Sequence, residues 1–459
     1  MTAHPPPAPP PAPLQSELRE LLALALPVVL VQVGMMTMGV VDSIMVGRIS
    51  AAALAGVALG NVYFFAAVVF GMGALLALDP IVSQAVGAHD DRAVARAVQR
   101  GLLLALALSL PASLLAATVR PVLAALGQPA EVVPIAAGYV LREIPGIFPF
   151  YAFVVFRQTL QALGRMRPIV VVILLANVAN VILNWMLIYG RLGVPPLGVN
   201  GSAWATTIAR WLMLAGIMAL AWGSLRPYLG ALLPESVSAA PLGRMLAIGA
   251  PIGMHMQLEF GVFGVVGLLM GRLGTEAVAA HQVALNLASL TFMVPLGVSA
   301  AATVLVGRAV GRGDEAGARR AARASLGVGA GFMACTALLF LLAPELLAAL
   351  YSRDAAVLAL AAALIPLAGV FQVFDGIQAV AAGVLRGLAD TRMPMVIGLL
   401  GFWAVGLPIS LWLGFRTPLG AVGLWWGLVA GLAAVALLLL ARVRIRLGRA
   451  LHRIVIDHH

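Results

Sequence analysis

Twelve stretches of this sequence are each long enough and apolar enough to cross a lipid bilayer. A spanning helix needs about 20 mostly apolar residues. Residues 21–46, 53–78, 101–119, 132–156, 168–190, 198–222, 245–270, 277–300, 326–343, 355–385, 395–415 and 419–441 meet that requirement. A soluble core cannot absorb them, because the chain is 62% apolar and only 10% charged, against roughly 45–50% and about 25% in soluble domains. The runs lack the alternation in pieces of about ten residues that a transmembrane barrel requires. The reading is an all-α integral membrane protein with twelve transmembrane helices. Residues 1–16, proline-rich and uncharged, lack the basic start and apolar centre of a signal peptide and read as a disordered tail.

All 29 basic residues are arginine, and their placement tests the count. With alternating sides from the N-terminus, 21 arginines fall on the first side and 6 on the second, while Arg142 and Arg210 lie inside spans. A missed or extra helix would scramble that asymmetry. The excess marks the cytoplasmic side, so both termini are expected in the cytoplasm of a multi-pass inner-membrane protein. The net charge of +11 is then an orientation signal, and nucleic acid is not an expected partner. The absence of lysine excludes a Walker-A ATP site and a Schiff-base cofactor. A single cysteine, Cys335, excludes an internal disulfide and Cys-ligated clusters and reads as packing. His458-His459 is too short to indicate metal binding. No cofactor is expected beyond a coupling ion.

The two halves repeat. Ala25-Leu26-Pro27 matches Gly249-Ala250-Pro251 at an offset of 224, and Met45-Val46-Gly47-Arg48 matches Leu269-Met270-Gly271-Arg272. Ala85-Val86-Gly87 with Asp90 matches Ala309-Val310-Gly311 with Asp314 at the same offset. Each half carries six spans, an even number, so both enter from the same side: a parallel repeat of two pseudo-symmetric six-helix lobes. The division is N-lobe 17–225, inter-lobe linker 226–243, C-lobe 244–441 and a basic cytoplasmic tail 442–459. Such repeats are a transporter architecture. Pro27 and Pro251 share a position in the first span of each lobe, where a proline removes a hydrogen bond and bends a helix, and are read as hinges.

Four acids lie well inside spans: Asp42, Glu143, Glu259 and Asp375, with Asp79 at a span end. A carboxylate near mid-bilayer costs at least about 2.5–3.5 kcal/mol on insertion scales. It persists when it lines water, pairs, binds a cation or carries a proton. Asn177, Asn180 and Asn184 share one helix face, and with Thr206 they are polar company for Asp42 around a proton or Na⁺. Glu259 and Asp375, with His255, Gln282, Asn286, Gln372 and Gln378 near them in sequence or in neighbouring spans, read as an acidic cavity wall in the second lobe. Glu143 is expected to pair locally with Arg142, and His281 to pack helices. The repeat sharpens this reading: Asp42 maps to Val266 and Glu259 to Met35. Scaffold residues repeat, whereas these acids do not.

The stretches MGVVDSIMVG (38–47), PIGMHMQLEFGVFGVVGLLMGRLG (251–274), AAHQVALNLASLTFMVPLGVS (279–299) and FQVFDGIQAVAAGVLRGLADTRMP (371–394) resemble the multidrug and toxic compound extrusion (MATE) family in its bacterial NorM-like branch. The resemblance runs over residues 18–445. It implies two lobes around a V-shaped cavity and export of diverse, often cationic or amphipathic compounds against inward H⁺ or Na⁺. It assigns Asp42, Asn180, Asn184 and Thr206 to a first-lobe cation site, and Glu259 and Asp375 to cation or substrate binding in the second. Three positions depart from the pattern. Phe371 stands where some relatives carry Tyr, Asp79-Pro80 replaces a more usual Thr-Pro, and Asn184 is an acid in some relatives. The expectation is a monomeric multidrug antiporter, conferring antibiotic resistance by xenobiotic export. The alternative is a lipid-linked oligosaccharide flippase, which would call for a more basic cavity. An intramembrane enzyme lacks support, since the spans carry no HExxH or GxSxG motif. The direction of transport is not written in the residues, so uptake stays open.

Overall fold

The computed structural model describes residues 14–230 and 233–457; the proline-rich segment up to residue 13 and His458-His459 lie outside these. Among the described residues twelve helices are long and apolar enough to span a membrane, and there are no strands. They are α1 (Leu14–Gly47), α2 (Ala51–Gly87), α3 (Asp91–Ala117), α4 (Val133–Ala162), α5 (Met166–Tyr189), α6 (Val199–Tyr228), α7 (Ala239–Arg272), α8 (Thr275–Gly311), α9 (Glu315–Leu342), α10 (Ala355–Gly387), α11 (Arg392–Phe415) and α12 (Gly420–Leu447). Each covers one expected span to within two residues at either end. Several run past the apolar stretch, because backbone hydrogen bonds close within a helix whether lipid or water surrounds it. Residues 14–16 are therefore helical rather than tail. Residues 239–243 belong to α7 rather than to the linker, and α12 takes in residues 442–447 of the expected tail.

Prolines act unequally. α2 is interrupted between Leu75 and Leu78. Pro80 has no N–H to donate, and its ring crowds the carbonyl four residues back, at Leu76. α1 and α7, by contrast, continue through Pro27 and Pro251.

The repeat is visible atom by atom. Asp90 caps α3 by accepting from the Ala93 amide, and Asp314 caps α9 by accepting from Gly317. The residues before the caps, His89 (φ 55°) and Gly313 (φ 71°), are both left-handed. The seam between lobes obeys the same relation. A Cβ on Gly311 would stand 2.1 Å from the Gln84 carbonyl oxygen, and one on Gly87 2.2 Å from that of Arg308. Residues 84 and 308, like 87 and 311, are related by the repeat, so each contact is the image of the other. Ser83 meets Gly307, its own image, which places this pair on the pseudo-two-fold axis.

The seam is concentrated toward the face carrying the chain termini. There Arg386 in α10 meets Asp79 in α2 at 3.3 Å. Gln84 donates to the Gly387 carbonyl at 2.9 Å, and Arg308 donates twice to the Ala162 carbonyl, at 3.1 and 2.8 Å. Arg320 in α9 holds Glu17 in α1 at 2.5 Å. About 20 Å below the opposite ends of their helices, Phe65 and Phe260 pack edge to face with centroids 5.0 Å apart. Phe65 remains exposed beside this contact. The inter-lobe hydrogen bonds of the described residues all lie on the termini side of that aromatic pair, so the cleft between the lobes opens away from the termini.

Candidate functional site: unpaired acids in two lobes

Asp42 sits in the last turns of α1, about 8 Å from the helix end, and is 2% exposed. Its Oδ1 accepts from Asn184 Nδ2 at 2.6 Å and its Oδ2 from Thr206 Oγ1 at 2.8 Å. Asn184 Nδ2 also reaches Asn180 Oδ1 at 3.1 Å. The face periodicity of α5 thus delivers two of its three asparagines. Asn177 instead bonds its own helix at the Ile173 carbonyl. Asn184 Oδ1 is buried and without a partner. The pocket therefore presents carboxylate, amide and hydroxyl oxygens, the donor set of a hard cation or a proton. A buried polar atom left unbonded costs about 1–3 kcal/mol, so the spare oxygen fits a group that an ion visits.

Glu143 departs from the expectation. Its partner is not Arg142, which turns to the Gly138 carbonyl, but Arg210 of α6 at 3.4 Å. Adjacent residues on a helix point about 100° apart, so neighbours in sequence are poor ion-pair partners. Arg210 also stacks over Phe64, 4.5 Å to the ring centre, and is thereby supported by both an acid and an aromatic face. This answers how an arginine is tolerated inside α6.

In the second lobe, Glu259 of α7 accepts from Gln378 Nε2 of α10 at 2.9 Å. Asp375, one turn before Gln378, is 7% exposed, and its Oδ1 has no hydrogen-bond partner. The two carboxyls are near enough to interact electrostatically. Phe371, one turn earlier, is buried between Phe263 (5.8 Å) and Trp425 (5.7 Å). Trp425 in turn meets His281, which packs as expected.

Other residues of the expected wall are spent elsewhere. Gln282 and Asn286 bond each other at 3.0 Å. Gln372 ties Thr291 to Thr336. His255 lies against Gly398 and Phe402 of α11 and bonds the Pro394 backbone. Being four residues from Glu259 does not bring its ring to that carboxyl. Cys335 is exposed rather than packed.

One contrast sorts the five acids. Asp79 and Glu143 are held by Arg386 and Arg210. Among the described residues, Asp42, Glu259 and Asp375 form no salt bridge, and the bonds found to Asp42 and Glu259 come from neutral side chains. The first two acids are held by arginines across helices; the other three are acids with no cationic side chain paired to them among the described residues. Sequence reasoning missed the Asp79–Arg386 lock, although an acid followed by Pro at a span end was already out of pattern.

The MatE family profile matches residues 27–186 and 251–412, two segments whose starts are one repeat apart. The chain belongs to the MATE family. It is 37% identical over 451 residues to a probable multidrug resistance protein NorM of Mesorhizobium japonicum, covering 93% of this chain and 94% of that one. It is 38% identical over 458 residues to the multidrug resistance protein PmpM of Pseudomonas aeruginosa, covering 97% and 94%. Its fold superposes on a eukaryotic MATE transporter, AtDTX14, with a TM-score of 0.87 at 22% identity, covering 95% and 98%. It is thus a multi-pass membrane protein of a multidrug efflux transporter family. As a MATE protein it carries its three unpaired acids asymmetrically, one in the first lobe and two in the second.

Proposed function

We propose that the protein is a secondary-active antiporter of the inner membrane that expels organic cations and amphipathic drugs in exchange for inward H⁺ or Na⁺. The observation that carries this reading is the set of three buried or half-buried acids without an arginine, in a structure that pairs its other intramembrane acids. With the arginine-rich side in the cytoplasm, the cleft opens outward. A proton or Na⁺ arriving from outside finds Asp42 already surrounded by Asn180, Asn184 and Thr206, and finds Glu259 and Asp375 deeper in the other lobe. Neutralising these acids weakens the hold on a cationic drug and favours its release. The lobes then rock, the seam opens to the cytoplasm, the ion leaves, and a cytosolic drug takes the vacated negative region. Coupling arises because the two ligands favour different states. Pro27 and Pro251 are the proposed bending points.

The test is reconstitution of the protein and measurement of cationic-dye movement under an imposed Na⁺ or pH gradient, with ionophore controls. Asp42→Asn, Glu259→Gln and Asp375→Asn are each expected to insert normally and lose most efflux. Wild-type rates in all three would reject the mechanism.

A further inference from the structure

The termini-side seam carries a second closure that belongs to neither repeat. After α12 the chain turns back across the lobe boundary. Leu447 accepts from Arg319 at 2.8 Å, and the Leu451 amide donates to Glu315 at 3.0 Å, both on α9 of the C-lobe. The next residues reach the N-lobe. Arg453 pairs with Asp90 at 2.7 Å, and the Ile454 amide donates to Gln84 at 2.8 Å. Asp457 then pairs with Arg96 at 2.8 Å and Arg100 at 2.5 Å. Arg100 is only 2% exposed, and Asp457 is the carboxylate it meets. Residues 454–456 also line a cavity with Arg244, Ala247 and Ile248 of α7 and with residues 389–392. Ile456 is buried.

We propose that residues 448–457 form a strap that holds the two lobes together on the cytoplasmic side, with Arg453 and Asp457 as gate residues of the transport cycle. The antiporter reading supplies only the names of the two states. Arg453 lies six positions beyond Leu447, a reach of at most about 20 Å when fully extended. Parting the Leu447 anchor from Asp90 by more than that requires release of the Arg453–Asp90 pair, and a larger opening requires release of Asp457 from Arg96 and Arg100 as well. Of the strap's N-lobe partners, Asp90 and Arg96 repeat as Asp314 and Arg320, whereas Gln84 and Arg100 are replaced by Arg308 and Ala324. Asp314, the image of Asp90, instead faces Arg320 at 3.9 Å. The strap is thus a one-sided addition to a two-sided seam.

The test uses the full chain in lipid nanodiscs, with Cys335→Ser and spin labels at Arg167→Cys and Ala316→Cys. These exposed positions lie on opposite lobes at the termini face. Arg453→Glu and Asp457→Arg each place like charges together without touching a membrane span. Both are expected to raise the ratio of long to short inter-lobe distances at least threefold, while Arg453→Lys leaves it near wild type. Gly311→Ala, which wedges the seam itself, is the positive control. If that control lengthens the distances and neither tail variant does, the strap is only a surface segment and the proposal fails. If the tail variants lengthen the distances but wild-type protein moves no dye under either gradient, the strap stands and the antiporter reading falls.

Discussion

Placing a methyl group at Gly311 tests whether the glycine seam sets the balance between the two states. The added Cβ would lie 2.1 Å from the Gln84 carbonyl oxygen. Ordinary contact begins near 3.4 Å, so the lobes must part by about 1.3 Å, and the obstacle is backbone that cannot rotate away. Overpacking of this kind costs typically 1–3 kcal/mol. At about 1.4 kcal/mol per tenfold, Gly311→Ala is expected to raise the population open on the termini side roughly 5- to 150-fold. Ser83 is fully buried on the pseudo-two-fold axis, so a Ser83→Cys probe in a Cys335→Ser background reports that opening. Its alkylation rate should rise by the same factor. Gly87→Ala, the image site, should act alike, whereas Gly327→Ala meets nothing within 4 Å and should leave the rate unchanged. If Gly311→Ala labels no faster than Gly327→Ala, the seam does not govern the equilibrium.

Thr206→Val keeps the side-chain volume and removes the donor on Asp42 Oδ2. A bond to a charged group contributes about 1.5–3 kcal/mol, so efflux in proteoliposomes should fall about tenfold or more with unchanged insertion. Arg210→Met strands Glu143, which is fully buried. Breaking one side of such a pair costs about 3–5 kcal/mol, so detergent thermal stability should drop sharply, and adding Glu143→Gln should restore most of it. The strap should be indifferent to moderate cytosolic acidification. The Arg453 guanidinium, followed by the Ala93 amide, holds the Asp90 carboxyl below the usual carboxylate range. The contribution of a lowered carboxyl is present above its unfolded value and is lost only as pH falls through the folded one. The extra lengthening that Arg453→Glu produces over wild type should therefore be the same at neutral and mildly acidic pH; its disappearance under mild acid would contradict the pairing.

The sequence foretold much of this architecture because lipid makes the rules severe. Every span had to be apolar and helical, and arginine placement fixed their number. Asp42 with Asn180, Asn184 and Thr206 was legible because helix periodicity puts Asn180 and Asn184 on one face. The second lobe was only partly legible. Glu259, Asp375 and Gln378 converge, but His255, Gln282 and Asn286 turn to other partners, because closeness along a chain does not fix where a side chain finds its hydrogen bond. The Glu143–Arg210 and Asp79–Arg386 pairs were hidden for the same reason. Each joins residues far apart in sequence, 67 and 307 positions respectively, and periodicity within one helix carries no information about the neighbour. The strap was invisible because its hydrophilic residues look like any solvated tail.

The glycine seam has a consequence for how such a protein moves. Backbone meets backbone along it, at Gly249 against Ala74, Gly253 against Phe70, and Gly87 and Gly311 against their opposite carbonyls. Long side chains can slide and re-pack by degrees, whereas bare chain either nests or stands off. A junction made this way resists half-measures, and its halfway postures gain neither the close fit nor full hydration. The protein is thereby biased toward two discrete stances with a brief crossing between them, which in the proposed antiport gives an ion little opportunity to cross without its passenger.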